Sequence, residues 1–193
     1  MVADSYWQAQ QALQAVEVEW LGPPHARVDT RKIAKDLEQA VKAEDGHVFH
    51  ARGEAEEAQR TGARTIEAWY SAPYLAHATM EPMNATARVS GDRVEVWAPT
   101  QVPGLARAIA AEAAGVAADA VTLHVTYLGG GFGRRLDVDV VGQAVRVALE
   151  TGGRPVQLVW SREEDLGHDF YRPAGVTILR AGVGDDGLPT TLR

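Results

Sequence analysis

Residues Gly129-Gly130-Gly131-Phe132-Gly133 place four glycines in five positions, and Arg134-Arg135 follow directly. Glycine admits positive φ and lets a ligand come close to main-chain N–H groups. A strand-like segment, Val121 to Tyr127, leads into the run, and a helix-like segment, Asp137 to Glu150, leads out. N–H groups at such a junction lack helical partners, so the loop can cradle a phosphate, an oxyanion or an oxo group. The other reading is a glycine turn that only tightens strand to helix. Two familiar phosphate fingerprints do not fit. A G-x-G-x-x-G pattern begun at Gly129 meets Arg134 at its last position, and one begun at Gly131 meets Leu136. A P-loop needs Lys and then Ser or Thr behind its last glycine, where Arg134-Arg135 stands.

Three more stretches carry chemistry-bearing side chains. In Trp97-Ala98-Pro99-Thr100-Gln101, a strand gives way to a helix. The Gln101 amide can donate to an oxo group without bringing charge, or it can be a polar residue in a helix-entry turn. In His77-Ala78-Thr79-Met80-Glu81-Pro82-Met83-Asn84, His77 and Glu81 can form a general acid–base pair or part of a metal set. Alternatively, Glu81 fixes an extended loop through hydrogen bonds before Pro82, and His77 is structural. His168, Asp169 and Arg172, behind Trp160-Ser161-Arg162-Glu163-Glu164-Asp165, allow the same two readings. The six histidines show no H-x-x-x-H or H-x-H spacing, which argues against a histidine-bound zinc.

The elements that must position these groups follow from periodicity. Residues 5 to 15 read as a helix capped by Ser5, and Val16 to Trp20 alternate as a half-buried strand. Asp29 caps a second helix reaching Ala43, with Ile33, Leu37, Ala40 and Val41 on one face. Val48 to His50 is strand-like, and Glu54 to Arg60 makes a helical turn or two. Arg64 to Leu75 is extended, with Pro73 marking an edge or a bend. Thr86 to Val89 and Arg93 to Ala98 form a hairpin around Ser90-Gly91-Asp92. Val102 to Ala114 and Val138 to Leu149 are helices, each closed by glycine. Pro155 to Trp160 is a strand, Ser161 opens a capping-box helix, and Val176 to Val183 is the last full strand. The fold class is therefore α+β, with mixed sheets and a β-α-β-loop-α-β order from Arg93 onward. A domain boundary is expected near residues 60 to 64.

Composition narrows the function classes. The chain has 193 residues, 46% hydrophobic and 23% charged, as ordinary globular proteins do. A net charge of −7 argues against a nucleic-acid surface or an anionic-membrane surface. With no cysteine, disulfides, cysteine-ligated iron–sulfur clusters and a thiol nucleophile are excluded from this chain. No apolar run approaches the roughly 20 residues of a membrane span. The first residues do not read as a signal peptide, and the compartment stays open between cytoplasm and periplasm. Gly184-Asp185-Asp186-Gly187 reads as a hairpin turn whose second strand is cut short, so a piece of a longer protein is expected.

Taken together, the four motifs resemble the large subunit of the molybdenum hydroxylases, the xanthine dehydrogenase and aldehyde oxidase superfamily, and within it the beta subunit of isoquinoline 1-oxidoreductases. The resemblance implies a molybdopterin-binding-domain-like fold over residues 63–193, with 1–62 ending a preceding hammerhead-like region and linker. It implies a molybdopterin cytosine dinucleotide cofactor against the glycine loop. Gly130, Gly131, Phe132, Gly133 and Arg134 would bind it, and Gln101 would stand beside an oxygen ligand of the molybdenum. The implied partners are the rest of the large subunit, a small [2Fe-2S] subunit, and an aromatic N-heterocycle or aldehyde as substrate. Xanthine dehydrogenases continue the loop as Gly-Gly-Lys-Glu, whose glutamate orients a purine; Leu136 here argues against purines. The family's catalytic glutamate would lie outside this chain, which is expected to be inactive and without cofactor on its own. Two other functions compete: a phosphate- or nucleotide-binding module without redox chemistry, and a cofactor-free structural domain at a subunit interface.

Overall fold

The structure is a computed structural model that describes residues 1–22, 29–54 and 64–193. The chain forms two compact units. One comprises Met1–Trp20 and Ala76–Arg172, the other Leu21–Leu75 and Pro173–Arg193.

The first unit is built on a four-stranded mixed sheet. Its strands are β2 (Asn84–Ser90), β3 (Arg93–Ala98), β4 (Val121–Val125) and β5 (Val156–Val159), in spatial order β4-β3-β2-β5. A tight turn with Gly91 at φ 60° joins β2 to β3 as antiparallel neighbours. β4 runs parallel to β3, and β5 runs antiparallel to β2. β3, β4 and β5 thus point one way, and β2 starts where those three end. Four connections, 98–101, 126–138, 160–161 and 76–83, therefore meet at one sheet edge.

Alternation decides the core face. Ala85, Ala87 and Val89 on β2 and Val94, Val96 and Ala98 on β3 all turn inward and are buried. Two helices cover this face: α3 (Pro103–Ala114), through Ala106, Ala110 and Ala111, and α4 (Asp139–Ala148), through Val140, Val141, Ala144, Val145 and Ala148. The alanines keep the layers close, and the valines supply the area removed from water. Pro103 starts α3 at its first turn, and Gly115, left-handed at φ 70°, closes it. The short helix α5 (Arg162–Gly167) is capped by Ser161, whose hydroxyl accepts from Glu164 N–H. At the other end of the unit, helix α1 (Tyr6–Gln14) is capped by Ser5.

The second unit pairs β1 (Arg64–Ala72), β6 (Gly175–Val183) and β7 (Pro189–Leu192) as an antiparallel sheet in the order β1-β6-β7. Helix α2 (Thr30–Ala43), capped by Asp29, packs against β6. Arg180 bridges Glu44 and Glu67 within this unit.

The α+β class and the β-α-β-loop-α-β order stand as expected. Two short strands do not form. Val16 to Trp20 is irregular, since Val16 N–H bonds back to Leu13 and the apolar residues of the alternation lie exposed without a sheet edge to join. Val48 to His50 is irregular too, and among the described residues no strand pairs with it. The helical turn expected over Glu54 to Arg60 falls, beyond Glu54, outside the described residues. The helix after the glycine loop starts at Asp139, because Arg134–Leu136 first makes one 3-10 turn.

Candidate functional site

The glycine loop hangs over the carboxyl edge of the mixed sheet, where open sheets gather their ligands. Each glycine has its own reason. A Cβ on Gly129 would stand 2.4 Å from Glu81 Cβ, so this position has no room for a side chain. Gly130 and Gly133 take φ 100° and 102°, which side-chain-bearing residues rarely adopt. A Cβ on Gly131 would stand 2.6 Å from Gln101 Oε1. Phe132 itself sits at φ 54° and is 76% exposed, so its ring stands out from the loop.

Two side chains brace the loop from the strand ends. Glu81 and Gly129 exchange hydrogen bonds: Glu81 Oε2 accepts from Gly129 N–H at 2.7 Å, and Glu81 N–H donates to Gly129 O at 3.1 Å. The other carboxylate oxygen accepts from Asn84 Nδ2. Gln101 Oε1 accepts from Gly133 N–H at 3.2 Å. That bond commits the amide oxygen, and among the described residues no acceptor meets the NH2 group, which stays a donor. Thr100, beside it, is buried and donates to Arg135 O while accepting from Val102 N–H.

The two arginines behind the loop are buried, 1% and 2% exposed, and hold it from below. Arg135 Nε donates to Gly130 O at 2.8 Å, and its other nitrogens reach Pro99 O, Glu81 O and Glu81 Oε2. Burial presses the Arg135 pKa below its ordinary value, and the Glu81 charge works against this. Arg134 makes a two-pronged pair with Asp139 at 3.1 Å and lies between the rings of Trp160 and Phe170. Its Nε stands 2.9 Å from Asp169 Oδ1, yet its N–H is not aimed well enough to count as a hydrogen bond. We read that contact as charge attraction alone. Asp169 also accepts from His77 N–H at 2.5 Å and lies 3.1 Å from His77 Nδ1. Arg162 reaches Asp165 and donates to Met80 O, tying α5 to the loop before β2.

Among the residues singled out from sequence, Gln101, Gly130, Gly131, Phe132 and Gly133 come together at the edge, with Arg134 directly beneath. The Arg134 side chain faces Asp139 and Asp169, and its N–H bonds Gly131 O at 2.8 Å. Glu81 acts as the brace of an extended loop rather than as the partner of His77, which pairs with Asp169 instead. The bracing roles of Arg135 and Asp169 are not legible in the sequence alone. Arg135 abuts the glycine run and was the one in plain view, whereas Asp169 meets His77 across 92 residues of chain.

No acceptor among the described residues stands against the N–H groups of Gly130, Gly131 and Phe132. Together with the Gln101 NH2, they make a row of donors without protein acceptors along the loop, suited to oxygens or ring nitrogens of a ligand. Among the described residues, no three His, Asp or Glu side chains converge as a metal set. No helix among them is long and apolar enough to cross a membrane.

Comparison with known proteins shows the family. Residues 39–193 match the family described as molybdopterin cofactor-binding domain. The isoquinoline 1-oxidoreductase subunit beta of Brevundimonas diminuta is 36% identical over 107 residues, 55% of this chain and 14% of that protein. The xanthine dehydrogenase molybdenum-binding subunit of Escherichia coli O157:H7 is 27% identical over 192 residues, 97% of this chain and 25% of its own length. The crystal structure of quinoline 2-oxidoreductase from Pseudomonas putida 86 superposes with a TM-score of 0.71 at 21% identity, over 98% of this chain and 25% of that one, which speaks to the fold. The chain spans a quarter or less of the length of these relatives. With most of its length matched and the glycine cradle standing at the sheet edge, the chain belongs to the molybdopterin cofactor-binding domain family.

Proposed function

We propose that this chain is the cofactor-facing section of a molybdenum hydroxylase catalytic subunit, which hydroxylates an aromatic N-heterocycle or an aldehyde with water as the oxygen source. The observation that carries it is the donor row: three successive loop N–H groups and the Gln101 amide, held on one edge by Glu81 and Arg135. The relatives named for isoquinoline and xanthine oxidation support the reaction class. The exposed Leu136 favours a heterocycle or aldehyde over a purine that needs a carboxylate there.

The residues fit the cofactor. A side chain at Gly129 would meet Glu81, one at Gly131 would displace the Gln101 amide, and positive φ disfavours them at Gly130 and Gly133, so the backbone is left bare where an oxygen-rich group would come close. Gly130, Gly131, Phe132 and Gly133 would hold it with main-chain atoms, and Arg134 would set the loop's lower face. When bound, the cofactor supplies the metal centre that accepts two electrons from the substrate. Gln101 would orient one oxygen-bearing group there through its amide without adding charge. The exposed Phe132 would wall the approach. The molybdopterin cytosine dinucleotide form is part of this proposal, as are a small [2Fe-2S] subunit to take the electrons and further segments of the large subunit to supply the catalytic glutamate. The cysteine-free sequence agrees with clusters carried elsewhere.

The test is elemental analysis of the intact subunit together with turnover of quinoline and benzaldehyde in 18O-labelled water. We expect about one molybdenum per subunit and label in the product, as metal-dependent hydroxylation from water requires. A metal-free subunit that binds nucleotide or phosphate would replace this reading with a non-redox binding module.

A further inference from the structure

His77 has one ring nitrogen committed and one uncommitted. Asp169 is a buried carboxylate, 2% exposed, that faces both the backbone N–H and Nδ1 of His77. An ionised carboxylate only accepts, so the Nδ1 it faces carries the proton. Nε2 is then left as the outward atom. It faces the glycine loop: a Cβ on Gly133 would lie 3.6 Å from it. The same glycine gives its N–H to Gln101. Among the described residues no hydrogen-bond partner meets Nε2, although the His77 side chain is only 11% exposed. A nearly buried imidazole with one fixed edge and one open edge resembles the way proteins orient a histidine toward a ligand.

Asp169 faces the ring, but its charge is shared with Arg134, whose guanidinium is itself paired to Asp139. Gly133 and the loop bring no charge. We propose that His77 Nε2 is a polar contact of the cofactor cradle, accepting a hydrogen bond from an N–H or O–H group of the cofactor, with Asp169 as the positioning residue that fixes the ring. This rests on reading the glycine loop as the cofactor's seat.

The experiment uses the intact subunit, with His77→Leu and His77→Gln made in parallel. Two quantities are read: molybdenum retained per subunit after prolonged dialysis, and the melting temperature of the subunit produced without cofactor. Loss of one accepted bond should speed cofactor loss about tenfold in His77→Leu. Gln can present an oxygen near the same place, so His77→Gln should recover part of the retention. The cofactor-free melts of both variants should stay close to that of the unaltered subunit. Equal retention in His77→Leu and the unaltered subunit overturns the inference and leaves the proposed function standing. A melt lowered equally by Leu and Gln also overturns it, making the pair with Asp169 a packing contact. An unaltered subunit that never holds molybdenum sinks the proposed function and this inference with it.

Discussion

Gln101 occupies the space that a side chain on Gly131 would need, since a Cβ there would lie 2.6 Å from Gln101 Oε1. The absence of that one carbon lets the amide settle against the Gly133 N–H. In the intact subunit, Gly131→Ala should push the amide aside and lower turnover about as far as Gln101→Ala does. Because both changes act through one contact, the double variant should be hardly worse than either single one. For Gln101→Ala the loss of turnover should exceed the loss of molybdenum, because the amide is assigned to orient rather than to anchor. Steady-state kinetics beside metal content decides it. A double variant whose losses multiply, or a Gln101→Ala subunit that loses metal in step with activity, would remove Gln101 from that role.

Beneath the loop, Arg135 satisfies Gly130 O, Pro99 O, Glu81 O and the Glu81 carboxylate with one buried fork. Lysine keeps the charge but not the planar set of donors, so carbonyls left unmatched in a dry site should destabilise the fold. Arg135→Lys is expected to cost about 2–4 kcal/mol of unfolding free energy. Urea unfolding followed by tryptophan fluorescence measures this, with Trp97 and Trp160 in the same unit reporting. A variant within about 0.5 kcal/mol of the parent, the usual scatter of surface changes, would show that water serves those carbonyls equally well.

The physical basis of what the sequence could and could not tell lies in contact range. The hairpin at Gly91, the capped starts at Ser5, Asp29 and Ser161, and the glycine closures at Gly115 and Gly152 are local, and each appears where expected. Gln101 and the glycine loop share one edge because both follow strands that run the same way. The reach of Arg135 to Glu81, the pairing of Asp169 with His77, and the bracing of Gly129 by Glu81 join segments 48 to 92 residues apart. Periodicity carries no information about such pairs. Val16 to Trp20 shows the converse failure: alternation marks a strand only when a neighbouring edge takes its hydrogen bonds.

In the second unit, the hydrogen bonds from Arg180 hold the carboxyls of Glu44 and Glu67 below their ordinary value of 4.5. A carboxyl whose pKa is depressed by folding adds stability above its unfolded pKa and loses it as pH falls through the folded one. The contribution of this cluster should thus be complete at neutral pH and fade only below about pH 4.5. Both carboxylates lie at the surface, 39% and 42% exposed, so the effect on unfolding should be small and weakened by salt. NMR titration of the Glu67 carboxyl gives the direct check: Arg180→Ala should move its midpoint upward, toward the ordinary value. An unmoved midpoint would mean that the arginine does not hold this carboxylate in solution.

Gly133 offers the sharpest separation of cradle from scaffold. Its φ of 102° is foreign to side-chain-bearing residues, and its N–H is the one that seats Gln101. A β-branched residue resists this conformation most, so Gly133→Val should re-form the loop around an allowed backbone angle and misplace both the donor row and the amide. The core lies elsewhere: Val94, Val96, Val141 and Val145 pack between sheet and helices and do not depend on the loop's course. The strain, about 1–3 kcal/mol for such a position, should therefore lower the melting temperature only modestly. In the intact subunit the expected result is a loss of molybdenum far larger than the loss of stability, read as metal content and thermal melt of one preparation. A variant that loads fully and turns over normally would take the glycine loop out of the site. If the melt collapses instead, the four glycines serve only to join β4 to α4, and the donor row at the sheet edge is incidental to the turn.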